Sequence, residues 1–540
     1  MKYRLLSILT LLLPILTFAQ DKGLDEKVND AFMPVAVWWE GFILTSIPIA
    51  GYNMPLVLIL LIFGATFFTI YFKFPNITKF GLAINTVRGK YDELDHHGVE
   101  KAELNIVDGD LVDTIADESK EGEVSHFQAL ATAVSGTVGL GNIAGVAVAI
   151  ALGGPGATFW MIICGLIGMS TKFVECTLGV KYRDVGEDGT VYGGPMYYLS
   201  RGLKEKGFTG LGKVLAALFA ILCVGASFGG GNAFQSNQAA VQLSTMLNLQ
   251  GGATGVIIGV ILAILVGIVI IGGIKKIASV TEKIVPFMAG IYVLASLVII
   301  FANIKYLGEA LGMIFNGAFT PMAGLGGVIG VIIVGFQRAA FSNEAGAGSA
   351  AIAHSAVKTK YPASEGVVAL LEPFIDTVVI CTMTALVIIF FNMDAGAFEY
   401  GNAVNSTVLI TETGNYIGGV DLTSMAYDSV IPGFRYILTI AIILFAFSTM
   451  ISWSYYGERC WTYVFGERFS MLYRLMFLMF IVLASLVSAG NILDFSDLLL
   501  LSMAFPNFLA LYLLQNKVGD ALKDYMIRLR NGQLDREVGR

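Results

Sequence analysis

The chain has 540 residues, 56% of them hydrophobic and 14% charged, with a mean hydropathy of +0.72. A soluble domain carries about 25% charged residues, so this composition excludes one and implies a chain that crosses a membrane many times. The net charge of −7 says little about partners, because the charges are sorted by side, and nothing points to nucleic acid.

Residues 1–20 have the form of a secretory signal, with Lys2 and Arg4 ahead of an apolar Leu5 to Leu16 and a small-residue cleavage site at Thr17-Phe18-Ala19. The alternative is a short uncleaved first helix. Residues 21–53 are then expected outside the membrane, with Trp38 and Trp39 at its interface. Eleven spans of about 17–25 residues follow. They centre on 54–72, 127–151, 157–180, 212–236, 253–273, 284–303, 322–355, 366–391, 433–456, 471–488 and 495–515. The loop 73–126 is long, charged and expected to be partly helical, whereas the loop 393–430 is acidic and rich in Gly, Thr and Asn. Lys and Arg crowd the segments between alternate spans (Lys73, Arg88, Lys181, Arg183, Lys275, Lys358, Arg459) and the tail 516–540, and are missing from 393–430. The positive-inside rule then places the N-terminus outside and the C-terminus in the cytoplasm.

The span 127–151 is interrupted. Its middle, Ser135-Gly-Thr137-Val138-Gly139-Leu-Gly141-Asn142, carries three glycines together with Ser, Thr and Asn. Each Gly in a helix interior costs about 0.5–1 kcal/mol relative to Ala, so the helix should break inside the membrane. Irregular backbone at that depth survives only where it lines a cavity or is buried in protein. N–H groups at the start of the outer half-helix would suit a carboxylate, and carbonyls at the end of the inner half a cation. The competing reading is a packing face on which Gly139 and Gly141 let helices approach. A second interruption, Arg338 to Ser349 with Ser342, Asn343 and Glu344, falls in the sixth of ten spans after an extra first helix. Interruptions in the first and sixth spans point to a five-plus-five inverted repeat with its site between the halves. Alternatively, Arg338 to Glu344 is the inner end of an ordinary helix, with an interfacial salt bridge.

In span 366–391, Glu372 and Asp376 share a helix face. Asp376 with Thr377 offers hard oxygens to a cation, and Glu372 reads as an inner-surface acid near Lys358 or Lys360. Span 433–456 offers the hydroxyls of Ser448 and Thr449, and one turn on Trp453, whose indole would leave room only for a small substrate. Hydroxyls in membrane helices also bond back to their own turn, and Trp453 reads equally as an interfacial aromatic. Asn232 and Gln235 lie three apart in a stretch too polar for lipid, and Lys172 with Glu175 reads as a mutual pair near the inner surface. The five cysteines, without CxxC spacing, read as buried thiols, and the four scattered histidines argue against a metal-centre enzyme.

Ser135 to Asn142 with Ile-Ala-Gly-Val, Gly193-Gly-Pro-Met-Tyr-Tyr-Leu199, Gly231-Asn-Ala-Phe-Gln235-Ser-Asn237, Arg338 to Ser349 and Phe374-Ile-Asp-Thr377 together resemble the alanine or glycine:cation symporter family. Val138-Gly-Leu-Gly-Asn142 is also similar to the first helix of neurotransmitter:sodium symporters. The resemblance implies an all-α, eleven-helix transporter with sodium-coupled uptake of alanine, glycine or other small neutral amino acids. Through these motifs, carbonyls of Ser135 and Val138 and hydroxyls of Ser448 and Thr449 would hold sodium. Gly139 and Gly141 would meet the substrate carboxylate and Trp453 would cap the side-chain pocket, with Thr137, Asn142, Asn232, Gln235, Ser342 and Asn343 as further candidates around the substrate. Ala233-Phe234 departs from the pair usual in the family.

These readings combine into an importer working by alternating access in a bacterial inner membrane, functional as a monomer among lipid. Residues 54–126 supply the extra helix and a cytoplasmic loop, 127–303 one repeat and 304–515 the other. Proton coupling with Asp376 as carrier is the near alternative. An ion channel fits two non-identical breaks poorly, and no nucleophile–base pair or cofactor motif supports an enzyme.

Overall fold

The computed structural model describes residues 34, 37–49, 52–91, 122–186, 189–248, 252–320, 327–401, 403–404, 407–485 and 498–531. The expected signal segment and the charged centre of the loop 73–126 lie outside the described residues.

The helices in chain order are α1 Leu56–Tyr71, α2 Phe80–Val87, α3 His126–Thr137, α4 Gly141–Gly153 and α5 Gly156–Lys181. Then come α6 Thr209–Met246, α7 Gly252–Ile270, α8 Gly273–Ala302, α9 Leu307–Phe319, α10 Val328–Asn343 and α11 Ala350–His354. The last are α12 Pro362–Ala395, α13 Gly419–Asp428, α14 Phe434–Phe465, α15 Ser470–Ala484 and α16 Leu498–Arg530. Among the described residues, α5, α6, α8, α12, α14 and α16 are long and apolar enough to cross a membrane, and α3 with α4 makes a seventh such unit bent by 53°. The protein is therefore a polytopic all-α membrane protein. Large apolar side chains face outward at helical spacing, Ile257, Ile261, Ile264 and Ile268 on α7 and Phe287, Leu294, Val298 and Phe301 on α8. In lipid that is the satisfied arrangement, because the tails are as apolar as the side chains.

Four interruptions meet at mid-bundle. α3 starts on a capping box, in which Gln128 N–H donates to Ser125 Oγ at 3.2 Å and Ser125 N–H to Gln128 Oε1 at 3.1 Å. It stops where Val138 turns to ψ 101°. α10 stops at Glu344, which sits in the left-handed region at φ 53°, and a turn leads to α11. α6 and α12 each carry a widened turn, at Gly229–Ala233 and Phe374–Cys381. Such bulges free backbone groups and recur at functional sites.

α8 begins at Gly273, earlier than hydropathy predicts, because its first turns carry exposed Lys275 and Lys276. α9 was not expected. The loop 393–430 folds into a small antiparallel sheet (β1 Ala403–Val404, β2 Thr407–Leu409, β3 Tyr416–Gly418) and α13. It covers the second half of the first broken span: Thr423 Oγ1 donates to Ile143 O at 3.0 Å and Gly401 N–H to Ala151 O at 2.6 Å. At the opposite end, the segment before α3 pairs with the segment after α11 through a parallel bridge between Val124 and Val357. Arg183 locks that junction by donating to Ser355 O at 2.8 Å and Thr359 O at 2.9 Å.

Candidate functional site

The C-terminal turn of α3 is laced to α14. Ser452 Oγ donates to Thr132 O at 2.9 Å, Thr449 Oγ1 to Ser135 O at 3.1 Å, and Ser135 Oγ to Ser448 O at 2.7 Å. Gly139 permits the approach, since a Cβ there would lie 2.9 Å from Thr449 Oγ1. The result is a buried knot of hard oxygens from Ser135, Ser448 and Thr449 beside Val138, the donor set an alkali cation takes. The Ser448 hydroxyl donates back to Phe445 O at 3.0 Å, while the Ser448 carbonyl accepts from Ser135 of α3.

A second polar knot gathers both broken spans on α12. Asn142 Nδ2 donates to Asp376 Oδ1 at 2.6 Å, Ser342 Oγ to Asp376 Oδ2 at 2.8 Å and Thr377 Oγ1 to the same oxygen at 2.7 Å. Asn343 Nδ2 donates to Thr377 Oγ1 at 3.0 Å. All five are buried. Of the residues expected around a substrate, Asn142 and Ser342 here bind each other and Asp376, and Asn343 binds Thr377. Asn142 Oδ1 also accepts the Gly139 N–H at 2.8 Å, the donor expected to meet a carboxylate.

Between the knots lies a narrow cavity of about 30 Å³ bordered by Gly136, Thr137, Gly139, Gly141, Gln235, Phe341, Glu344, Thr449 and Trp453. Of the residues named from sequence, it brings together Thr137, Gly139, Gly141, Gln235, Thr449 and Trp453. Gln235 Nε2 donates to Gly230 O at 3.1 Å, while its Oε1 is buried without a hydrogen-bond partner. That oxygen is an acceptor at the cavity wall. Asn232 is not there: its Nδ2 donates to Phe477 O at 2.7 Å, bracing α6 against α15. Trp453 closes one side. Gly231 makes room for its ring, because a Cβ there would collide with the indole.

Glu344 was missed as a wall residue. Its Oε1 accepts from Trp453 Nε1 at 3.2 Å and its Oε2 from the Ser349 hydroxyl, with the residue 4% exposed. The signal was present: an acid inside an apolar span is a functional candidate by default, and Glu344 falls within the second interruption. Lys172 and Glu175 are not a pair. Lys172 Nζ meets Glu372 Oε1 at 3.0 Å, both fully buried, and Glu175 Oε1 accepts from Asn507 Nδ2 at 2.6 Å. Glu372 is therefore no surface acid near Lys358 or Lys360.

Residues 43–538 match the sodium:alanine symporter family. The sodium/alanine symporter AgcS of Methanococcus maripaludis is 42% identical over 410 residues, 76% of this chain and 86% of that protein. The putative sodium/proton-dependent alanine carrier protein YrbD of Bacillus subtilis is 36% identical over 429 residues, 78% of this chain and 85% of its own. The probable sodium/glutamine symporter GlnT of Bacillus subtilis is 34% identical over 416 residues, 76% and 81%. Among solved structures, MhsT in complex with L-phenylalanine matches with a TM-score of 0.51 at 16% identity, over 73% of this chain and 89% of that one, which places the fold. These are transporters rather than enzymes, and this chain belongs to the sodium:alanine symporter family.

Proposed function

We propose that the protein is a sodium-coupled symporter that imports alanine, glycine or another small neutral amino acid by alternating access. The observation that carries this reading is a cation-type oxygen knot sharing Thr449 and the Gly139 backbone with a narrow cavity. A shared wall lets one ligand stabilise the site of the other, which is what coupling requires. In this reading, sodium takes the carbonyls of Ser135 and Val138 and the Thr449 hydroxyl, with Asp376 and Thr377 as a further oxygen set. The substrate carboxylate approaches Gly139 and Gly141 as Asn142 releases the Gly139 N–H. Gln235 Oε1 accepts from the substrate ammonium, and Trp453 limits the side chain.

The same proposal takes the chain as eleven spans in a bacterial inner membrane, with an extra first helix, repeats over 127–303 and 304–515, the α13 end outside and the Val124–Val357 junction in the cytoplasm. Asp376 as a proton carrier is less favoured, because three donors already occupy its oxygens as in an anchor between helices.

The test is uptake of labelled alanine and glycine into proteoliposomes with and without an inward sodium gradient. Accumulation should require sodium; uptake driven by a proton gradient alone and indifferent to sodium refutes the coupling. Thr449→Ala should raise the sodium concentration for half-maximal uptake about ten- to a hundredfold, the worth of one contact to a charged ligand. An unchanged sodium dependence would reduce Thr449 to a brace between α14 and α3.

A further inference from the structure

Five ionisable side chains form a buried file apart from the cavity. His126, at the start of α3, contacts Glu365 Oε2 through Nδ1. Glu365 Oε1 meets His354 Nδ1 at 2.5 Å. His354 Nε2 faces Glu372 Oε2 at 3.7 Å, and Glu372 Oε1 accepts from Lys172. His126 is 4% exposed and the other four are fully buried. The file joins α3, α11, α12 and α5. One end lies beside the Val124–Val357 junction. At the other, Lys172 is within electrostatic reach of Glu344, the wall residue that holds Trp453.

Two features set the file apart from a static ion-pair network. The first is its charge balance. Glu365 and Glu372, with Glu175, Glu344 and Asp376 nearby, place five carboxyl groups against three bases, Lys172, His126 and His354. An uncompensated buried charge costs several kcal/mol, so the cluster favours retaining protons. The second is an unmade link. His354 Nε2 and Glu372 Oε2 are both buried without a hydrogen-bond partner and face each other just beyond bonding distance. A proton on Nε2 would point at that carboxylate, and a shift of about 1 Å would complete the bond. The other titratable groups within electrostatic reach of the file are Cys176 on α5 and Tyr456 on α14, while Gln128, two residues after His126, holds Glu282 of α8 and Arg459 of α14 pairs with Glu123 ahead of α3.

We propose that this file is a proton-binding site, with the proton held on His354 between Glu365 and Glu372 while the junction end is closed. Parting α3 from α12 separates His126 from Glu365, admits water, and releases the proton at that end. This rests on the transporter reading for its sidedness, and it gives the proton role to His354 rather than Asp376. The sign follows from linkage. His354 faces Glu365 and Glu372 together only while the file is closed, so a proton held between them belongs to the closed state and lower pH favours closure, by at most about tenfold per pH unit for one proton.

The experiment places a reporter, Val124→Cys, in the full chain in proteoliposomes, and measures its modification rate by a thiol reagent, corrected for thiolate fraction with a free thiol. Labelling should be several-fold slower at about pH 6 than at about pH 8, the range in which histidine changes charge. Adding His354→Gln or His126→Asn should flatten that dependence. A flat profile in the parent, or a slope that survives in both variants, overturns the proposal. Should a variant fail to fold, the slope in the other decides. Alanine uptake in the same vesicles reads the transport proposal separately: loss of uptake with an intact, His354-dependent slope removes the transport reading and leaves the proton site standing.

Discussion

Lys172→Met is expected to destabilise the protein by about 3–5 kcal/mol, the cost of leaving one partner of a buried ion pair without its counter-charge. The geometry makes this site severe. Lys172 and Glu372 are both fully buried at 3.0 Å, and the other oxygen of Glu372 has only His354 at 3.7 Å. Water cannot reach the carboxylate to compensate. Glu372→Gln in the same chain removes the stranded charge, so the double variant should lie closer to wild type than Lys172→Met alone. Thermal unfolding of the purified protein in detergent, over the four corners of this cycle, gives the coupling directly. A single-variant loss of under about 1 kcal/mol, the size found for solvent-exposed pairs, would mean that the pair is hydrated and the buried file is open to water.

That pair also shows where reading from sequence stops. The six long apolar spans and the bent one among the described residues were legible because each is a local property: bilayer thickness fixes apolar length, and glycines with Ser, Thr and Asn cannot sustain a lipid-facing helix. The break found at Val138 lies inside the Ser135–Asn142 run for that reason. Partner choice is not local. Helical spacing offered Glu175 to Lys172, but the partner is Glu372, 200 residues away, brought there by the packing of α5 on α12. Side-chain direction at a break escapes periodicity too. Asn142, placed by its motif at a substrate site, turns to Asp376 because α12 widens there and presents the carboxylate. Glu344 was hidden by the same effect: a left-handed residue ends α10 and swings its carboxylate into the wall instead of along the helix face. The resemblance to the symporter family supplied Ser135, Gly139, Gln235, Thr449 and Trp453 as a group, which hydropathy alone would have left scattered over three helices.

Trp453→Ala should change which amino acid the cavity prefers. The indole is 3% exposed, packs edge-on against Tyr456 with ring centroids 5.4 Å apart, and closes a cavity of about 30 Å³. Truncation removes that wall, so alanine loses packing for its methyl and binds worse, while valine and leucine gain relative to it. One methylene in such a pocket is worth about 1–3 kcal/mol, which allows a reversal of preference between alanine and leucine. Trp453→Phe separates bulk from polarity. It keeps most of the wall but removes the donor to Glu344 Oε1, leaving that buried oxygen unsatisfied at a cost of about 1–3 kcal/mol. Its expected signature is weaker or less stable binding with the original order intact. Competition by unlabelled alanine, valine and leucine against labelled alanine, in sodium-containing vesicles, reads both variants. If Trp453→Ala folds and keeps alanine first with all affinities scaled alike, the indole is an anchor for Glu344 and the α10 turn. The size limit then falls to Phe341, Leu500 or Gln235, which also line the cavity wall.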